Sequence, residues 1–390
     1  MTANAHDSFQ PFAIQEVSRA AVAENLALLA GRLGGGTRLC PVVKADCYGH
    51  GLDVLMPVFV ERADALAVAQ PVEAFAARQF GWPGPLLVLF PPFAAAGRRP
   101  VETFAELIAQ QATLTVTEAD QLDLLAAAAR QAGRDVDVHI KIDTGMSRSG
   151  SMPDRAADLA RQVRATAGLN LTGLYSHMAT ADESDPDGRA FAGRQREQFI
   201  DIVGQIGGRE ELTLHLSNSA GVIDLPDTHL DMVRPGIAVY GYPPSDQLEI
   251  QLPFRPAMRV RSWLTQVRDL PAGATCGYGR TYRFEKPARA GLVPIGYGDG
   301  YLRALSNRSS MRVAGVDCPV RGRVSMDQVI LDLTDAPASA GVGEPVEVVS
   351  DDPAAPHSVV NLARLAGTIS YEITCALGGQ RIARQAAEGP

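Results

Sequence analysis

Between residues 20 and 240 the chain repeats one pattern eight times: a short apolar run, then a longer segment with helical character. The apolar runs fall at 39–44, 65–69, 86–90, 113–116, 136–142, 171–176, 212–216 and 233–240. In the first helical segment Val22, Leu26, Leu29 and Leu33 recur at helical spacing. Another opens at Thr117, a good N-cap, and continues through Leu122, Leu125 and Ala129. Eight strand-then-helix units in roughly 220 residues match the size of a parallel (β/α)8 barrel. A doubly wound open sheet is the alternative, and it usually needs fewer strands.

Near residue 240 the texture changes. Prolines at 243, 244, 253 and 256 punctuate a linker, and the runs beyond it are short and strand-like, at 258–267, 290–295, 311–316, 328–333 and 346–350. Turn residues separate them, and helical patterns return only near residue 357, which reads as a smaller, mainly β domain. The expectation is an α/β chain with a barrel over 15–245 and a C-terminal β domain over 250–390. Residues 1–14 do not resemble a barrel unit, and whether they pack with the β domain stays open at this point.

Charge and cysteine usage exclude several classes. The net charge is −8 and no Lys/Arg run exists, so no nucleic-acid partner is expected. No apolar stretch reaches the ~20 residues of a membrane span. Residues Met1 to Gln10 lack the basic-then-apolar pattern of a secretory leader. The five cysteines show no paired spacing that suggests a disulfide framework or a zinc site. A cytoplasmic location and no metal are therefore expected.

A barrel carries its chemistry at the C-terminal ends of its strands. Lys44 ends the first apolar run, in Val42-Val43-Lys44-Ala45-Asp46-Cys47-Tyr48-Gly49-His50-Gly51. Poor solvation there disfavours the ammonium and makes the amine a nucleophile near neutral pH, the chemistry of a Schiff base with an aldehyde. Run five ends in Lys141 to Arg148, run six at His177, run seven in Ser217-Asn218-Ser219-Ala220-Gly221, and run eight carries Arg234-Pro235-Gly236-Ile237. The loops after strands seven and eight commonly hold a phosphate in such barrels. Their hydroxyls and glycines let backbone N–H groups approach an anion. A Schiff-base lysine beside a phosphate cradle points to pyridoxal 5′-phosphate (PLP).

These residues resemble the alanine racemase family over about residues 12 to 385. The resemblance rests on Lys-Ala-Asp-x-Tyr-Gly-His-Gly at Lys44, Asp143-Thr144-Gly145-Met146-x-Arg148, Ser176-His177, Asn218-Ser219-Ala220 and Val233-Arg234-Pro235-Gly236-Ile237. Cys276-Gly277-Tyr278-Gly279, Ile295 to Gly300, Gly322 to Gln328 and Ile369-Ser370-Tyr371-Glu372 extend it. It implies a homodimer that interconverts L- and D-alanine with two bases. Lys44 would hold PLP and serve as one base. Tyr278, reaching in from the neighbouring subunit, would be the other. Arg234 would face the pyridine nitrogen, with His177 bonded behind it. Tyr48, Asn218, Ser219, Gly236, Ile237 and Tyr371 would hold the rest of the cofactor, chiefly its phosphate. Arg148, Met326 and Asp327 would bind substrate. Asp182, Tyr297, Arg303, Arg323 and Ile369 would line a narrow entrance, and Lys141 takes a position carbamylated in some members. Cys47 and Ser325 depart from the usual Ala and Cys.

The chemistry suits those residue types. Racemisation takes a proton from one face of a carbon and returns one to the other, so two bases on opposite faces are the simplest arrangement. Lysine and tyrosine ordinarily titrate near 10. Three alternatives remain at this level: a racemase for serine or a broader set of amino acids, a PLP decarboxylase on a related fold, and a non-catalytic PLP carrier.

Overall fold

The computed structural model describes residues 11–93, 99–379 and 381–387. Eight parallel strands form one curved sheet: β2 (Arg38–Leu39), β3 (Leu66–Val68), β4 (Leu86–Val88), β5 (Ala112–Val116), β6 (Val136–Lys141), β7 (Leu169–Tyr175), β8 (Thr213–His215) and β9 (Met232–Val233). They run in sequence order from β3 to β9, and β9 pairs in turn with β2. The ring closes through residues just beyond β2, where Val42 bridges Ala67 and the Val43 amide donates to the Ala67 carbonyl at 2.8 Å. The strand interiors are fully buried, with Leu66, Val68, Val88, Val138, Ile140 and Leu174 at the centre. This is the expected barrel.

Several of its strands are shorter than the apolar runs suggested, the first and the eighth most of all. The first yields only Arg38–Leu39 before Pro41 removes an amide donor, leaving a single bridge at Val42. The eighth stops at Val233, and Ile237–Tyr240 coils into a 3-10 turn. There Pro235 and Gly236 break the strand, yet all four turn residues are buried. Apolar content reported burial correctly but not backbone shape.

The remaining strands build the β domain. They are β10 (Met258–Trp263), β11 (Gln266–Leu270), β12 (Thr275–Cys276), β13 (Tyr282–Arg283), β14 (Ala288–Val293), β15 (Ser310–Val313), β16 (Val316–Pro319), β17 (Val329–Asp332), β18 (Pro345–Val349) and β19 (Ala383–Ala386). The run at 311–316 is a hairpin rather than one strand. Ala314 and Gly315 both take positive φ (47° and 82°), the two-residue turn whose twist matches its flanking strands. The first strand among the described residues, β1 (Ala13–Val17), lies between β10 and β19 in a six-stranded sheet. Residues 13–17 thus belong to the β domain.

Buried Asn25 stitches the two parts together. Its amide donates to the carbonyls of Val239 (3.2 Å) and Arg255 (2.8 Å) and accepts from the Arg255 amide (2.9 Å). Gly241 faces the same linker with φ +90°, and a Cβ there would stand 1.9 Å from the Arg255 carbonyl oxygen. Both the left-handed backbone and the contact with rigid main chain demand glycine. Gly241→Ala should therefore lose about 2–4 kcal/mol of stability in denaturant unfolding. An unchanged midpoint would show that the seam yields freely.

Candidate active site

The turn that follows Lys44 is left-handed over four residues. Ala45, Asp46, Cys47 and Tyr48 have φ of 49–57° and ψ of 40–54°. Each such non-glycine residue costs about 1–2 kcal/mol, so the surroundings must hold the turn. The Asp46 carboxylate accepts from the Leu52 amide at 2.7 Å, and its carbonyl accepts from Gly51 at 2.9 Å. The Glu73 carboxylate accepts from the Ala45 amide at 2.7 Å on one oxygen and from Ala69 and Gln70 on the other. The turn buries Tyr48 and leaves Lys44 half-buried at the mouth of the barrel.

Lys44 there lines a cavity of about 730 Å³ together with Tyr48, Lys141, Arg148, His177, Asn218, Ser219, Arg234, Gly236, Ile237 and Tyr371. The loops after β2, β6, β7, β8 and β9 supply most of them. All four charged side chains lining it are cations. Burial, reinforced by the Arg148 charge, lowers the Lys44 amine from its ordinary value. The same two causes, with Arg234, bring Lys141 down to about 8. His177 is held well below the usual histidine range, first by burial and then by Arg234 and Arg148. The cavity is thus a positive, poorly solvated space without a carboxylate on its walls.

Arg234 is fully enclosed, and its partners differ from the expectation. One guanidinium nitrogen meets His215 Nδ1 at 2.7 Å, and the other donates to the carbonyls of Ser176 (2.7 Å) and Leu216 (3.3 Å). His215 Nε2 in turn meets His139 Nδ1 at 2.9 Å, and Tyr175 stacks on the His215 ring. The histidine behind Arg234 is therefore His215, not His177. Both stand near a strand end, but His215 is the last residue of β8 and points inward, whereas His177 lies just past the end of β7. Among the described residues the His177 ring hydrogen-bonds no protein group. His139 and Tyr175 also escaped the sequence reading, because apolar strands conceal inward polar residues, and Glu73 escaped it as an ordinary acidic residue in the first turn of the helix Pro71–Gln79.

On the phosphate side, Ser219 Oγ accepts from the Gly236 amide at 2.8 Å. Asn218 caps the short helix Ser219–Asp224 through the Gly221 amide at 3.0 Å. A Cβ on Gly236 would sit 2.4 Å from Tyr48 Oη, so only glycine lets the backbone approach. Tyr48 packs its ring 5.8 Å from that of Tyr371, and burial raises both phenols.

The other expected residues lie elsewhere in the chain. Tyr278, Tyr297, Arg323, Met326 and Asp327 line a second, separate cavity on the β domain. Tyr278 and Met326 are mostly exposed, at 72% and 51%. Asp182 is close enough to act on the Tyr371 phenol, Ile369 is exposed at 60%, and Arg303 opens a 3-10 turn, Arg303–Leu305. Asp182, Arg303 and Ile369 line neither cavity. A single chain does not bring Lys44 and Tyr278 into one pocket.

A barrel with a cationic, lysine-bearing mouth, joined to a β domain with its own polar cavity, defines a barrel-plus-β-domain protein. Comparison with known proteins gives the family. Residues 17–244 match the alanine racemase N-terminal domain and residues 257–386 the alanine racemase C-terminal domain. An alanine racemase of Desulfovibrio desulfuricans is 36% identical over 366 residues, covering 93% of this chain and 95% of that one. One from Methanococcus maripaludis is 33% identical, covering 92% and 95%. The crystal structure of alanine racemase from Streptomyces lavendulae superposes with a TM-score of 0.88 at 33% identity, covering 98% of this chain and 99% of that one. The chain belongs to the alanine racemase family.

Two outcomes follow from the site. His215→Leu removes the acceptor of a buried guanidinium N–H and should cost about 2–3 kcal/mol in unfolding, whereas His177→Leu should cost less. Equal losses would return Arg234's support to His177. Acid should also destabilise the fold through its neutral histidines. Burial lowers His50 to about 4 and His139 to about 3, from an ordinary 6.5. Below pH 6.5 the unfolded chain takes up protons that the folded one refuses, so stability is complete above that pH and falls toward those lower values. Each such group contributes up to about 1.4 kcal/mol per pH unit. His139→Gln should flatten the fall measured by urea unfolding between pH 6.5 and 4. A slope identical to that of the parent would show that His139 is protonated in the folded protein.

Proposed function

We propose that this protein is a PLP-dependent alanine racemase that interconverts L- and D-alanine in a homodimer with shared active sites. The observation that carries the reading is the cavity wall: four cations, no carboxylate, and a depressed lysine amine at its centre. The family is PLP-dependent, and the residues present fit that cofactor. The Tyr48 hydroxyl bonds no protein group among the described residues and faces the space that Gly236 keeps open. A phosphate with an aldehyde would complement both that space and Lys44. Lys44 would bind the cofactor covalently, Tyr48, Ser219, Gly236, Ile237 and Tyr371 would take its phosphate, and Arg234 would meet its ring nitrogen. When bound, PLP supplies an electron sink that acidifies the substrate's α-carbon proton.

The chain's own residues do the rest. Lys44 Nζ takes or returns a proton on one face, and Tyr278 Oη does so on the other. The separate cavities within one chain support a second copy as the source of Tyr278, since an isologous pair would form two equal sites. Met326 and Asp327 would arrive with it, to bind the substrate carboxylate with Arg148. Arg234 stays protonated at neutral pH even though burial brings it down to about 10. A guanidinium can only donate, so at the ring nitrogen Arg234 would offer a hydrogen bond without transferring a proton. The entrance formed by Asp182, Tyr297, Arg303, Arg323 and Ile369 would favour small amino acids.

Lys141 fits a carbamate. Its amine, near 8, is partly neutral at physiological pH and can add to CO2, forming an N–C bond and releasing a proton. The anion would lie among the cations and pair with Arg148, whose side chain has no carboxylate partner among the described residues. Intact mass under non-acidic conditions should show one added CO2 that Lys141→Ala lacks. Five free cysteines, four of them buried, suit the reducing cytoplasm where we place the enzyme.

The deciding experiment incubates the protein with L-alanine, L-serine and larger L-amino acids in D2O, followed by chiral analysis. D-alanine carrying deuterium should form fastest, and Lys44→Ala should abolish it. Faster turnover of serine would make the enzyme a broader racemase. Loss of carbon dioxide, or bound PLP without exchange, would sink the racemase reading.

A further inference from the structure

The two half-sites are separate in space, yet one short C-terminal segment touches both. Arg384, on β19, is mostly covered and reaches the turn that follows Lys44. Its Nη1 donates to Asp46 Oδ2 at 2.5 Å, its Nε to Gln15 Oε1 at 2.6 Å, and its Nη2 to the carbonyls of Gly378 (3.1 Å) and Gly49 (3.4 Å). Gln15 pairs in register with Arg384 and donates to the same Gly49 carbonyl at 2.8 Å. Gly49 and Gly51 accept this approach because they lack side chains. A Cβ on Gly51 would fall 2.4 Å from the Arg384 side chain, and one on Gly49 would fall 2.1 Å from the Thr374 carbonyl oxygen.

Three residues earlier, Arg381 grips the other half. Its Nη2 donates to Asp327 Oδ1 at 2.6 Å, and its Nε lies 3.2 Å from Asp299 Oδ1. The other Asp299 oxygen accepts from the Gly296 amide at 2.8 Å, at the head of the Tyr297 turn. The Gly298 amide of that turn donates to the Met326 carbonyl at 2.8 Å. A Cβ on Gly298 would fall 2.3 Å from Arg381 Nη1. Arg381 thus joins the turn carrying Tyr297 to the loop carrying Met326 and Asp327.

We propose that Arg384 and Arg381 are positioning residues, Arg384 holding the left-handed turn that presents Lys44 and Tyr48, and Arg381 holding the Met326 and Asp327 loop. This rests on the reading that Lys44 and Met326 serve the racemase reaction. In the shared-site dimer, the C-terminal segment of each copy would set the lysine side of its own site and the substrate side of its partner's. The left-handed turn cannot hold itself, and Arg384 reaches two of its groups from a different sheet. Arg384 is mostly buried, so its loss should act strongly. Arg381 is half-exposed and water competes for its pairs, so its effect should be smaller.

The test compares Arg384→Gln, Arg384→Lys and Arg381→Gln in full-length, PLP-supplemented protein. Amide hydrogen exchange by mass spectrometry, cofactor retention, and kcat and KM for L-alanine are read together. Arg384→Gln should speed exchange over 45–52, weaken PLP binding roughly tenfold and lower kcat with KM little changed. Arg384→Lys should restore only part, because one ammonium cannot reach acceptors spread around a planar fork. Arg381→Gln should speed exchange over 296–300 and 325–328 and raise KM about threefold, leaving PLP retention unchanged. Exchange that rises evenly along the chain, a common profile in both Gln variants, or unchanged local exchange would each overturn the proposal. If the parent protein neither holds PLP on Lys44 nor racemises alanine, the function fails, and the exchange pattern alone decides the clamp.

Discussion

Four cations share one cavity at the mouth of the barrel, and no carboxylate lines its wall. Much else in the structure answers to that concentration of charge. Burial first, and the neighbouring arginine charges second, keep His177, His215 and His139 neutral. A protonated imidazole in this space would add a fifth like charge where solvent cannot screen it. Burial, with the Arg148 charge second, likewise lowers the amines of Lys44 and Lys141. An anionic ligand relieves all of these groups together, so ligand binding and protein electrostatics are one problem here.

Holding the cations in place takes an unusual backbone. Lys44 is delivered by a left-handed turn rather than by a long strand, and neighbours from three directions secure that turn. Glu73 comes from the next barrel unit, Gln15 from β1 and Arg384 from β19. The β domain therefore does more than carry Tyr278 and Met326. Its strands β1 and β19 reach the turn of the barrel site through Gln15 and Arg384.

The sequence revealed the barrel because apolar runs separated by helical periods have few other solutions. Lys44, Arg148, Arg234, Ser219 and Gly236 were legible because polar residues and glycines at strand ends stand out against apolar surroundings. His177 was placed behind Arg234, where His215 stands, for the opposite reason: two histidines near strand ends look alike until the sheet shows which one points inward. The left-handed turn was also hidden. Ala45 to Tyr48 have no propensity for that conformation, and tertiary contacts impose it, from Glu73 nearby in sequence to Arg384 more than three hundred positions away. The 311–316 hairpin was missed because Ala314-Gly315 is a weaker turn signal than Asn-Gly.

In the proposed dimer, one catalytic site draws Lys44 from one chain and Tyr278 from the other. Mixed dimers of Lys44→Ala and Tyr278→Phe test it directly. Each variant alone should be nearly inactive. In the hybrid, one site would carry both lesions and the other neither, so statistical mixing should restore about a quarter of the parent activity. A mixture no more active than its parts, with hybrid formation demonstrated, would place both bases in one chain and contradict the shared site.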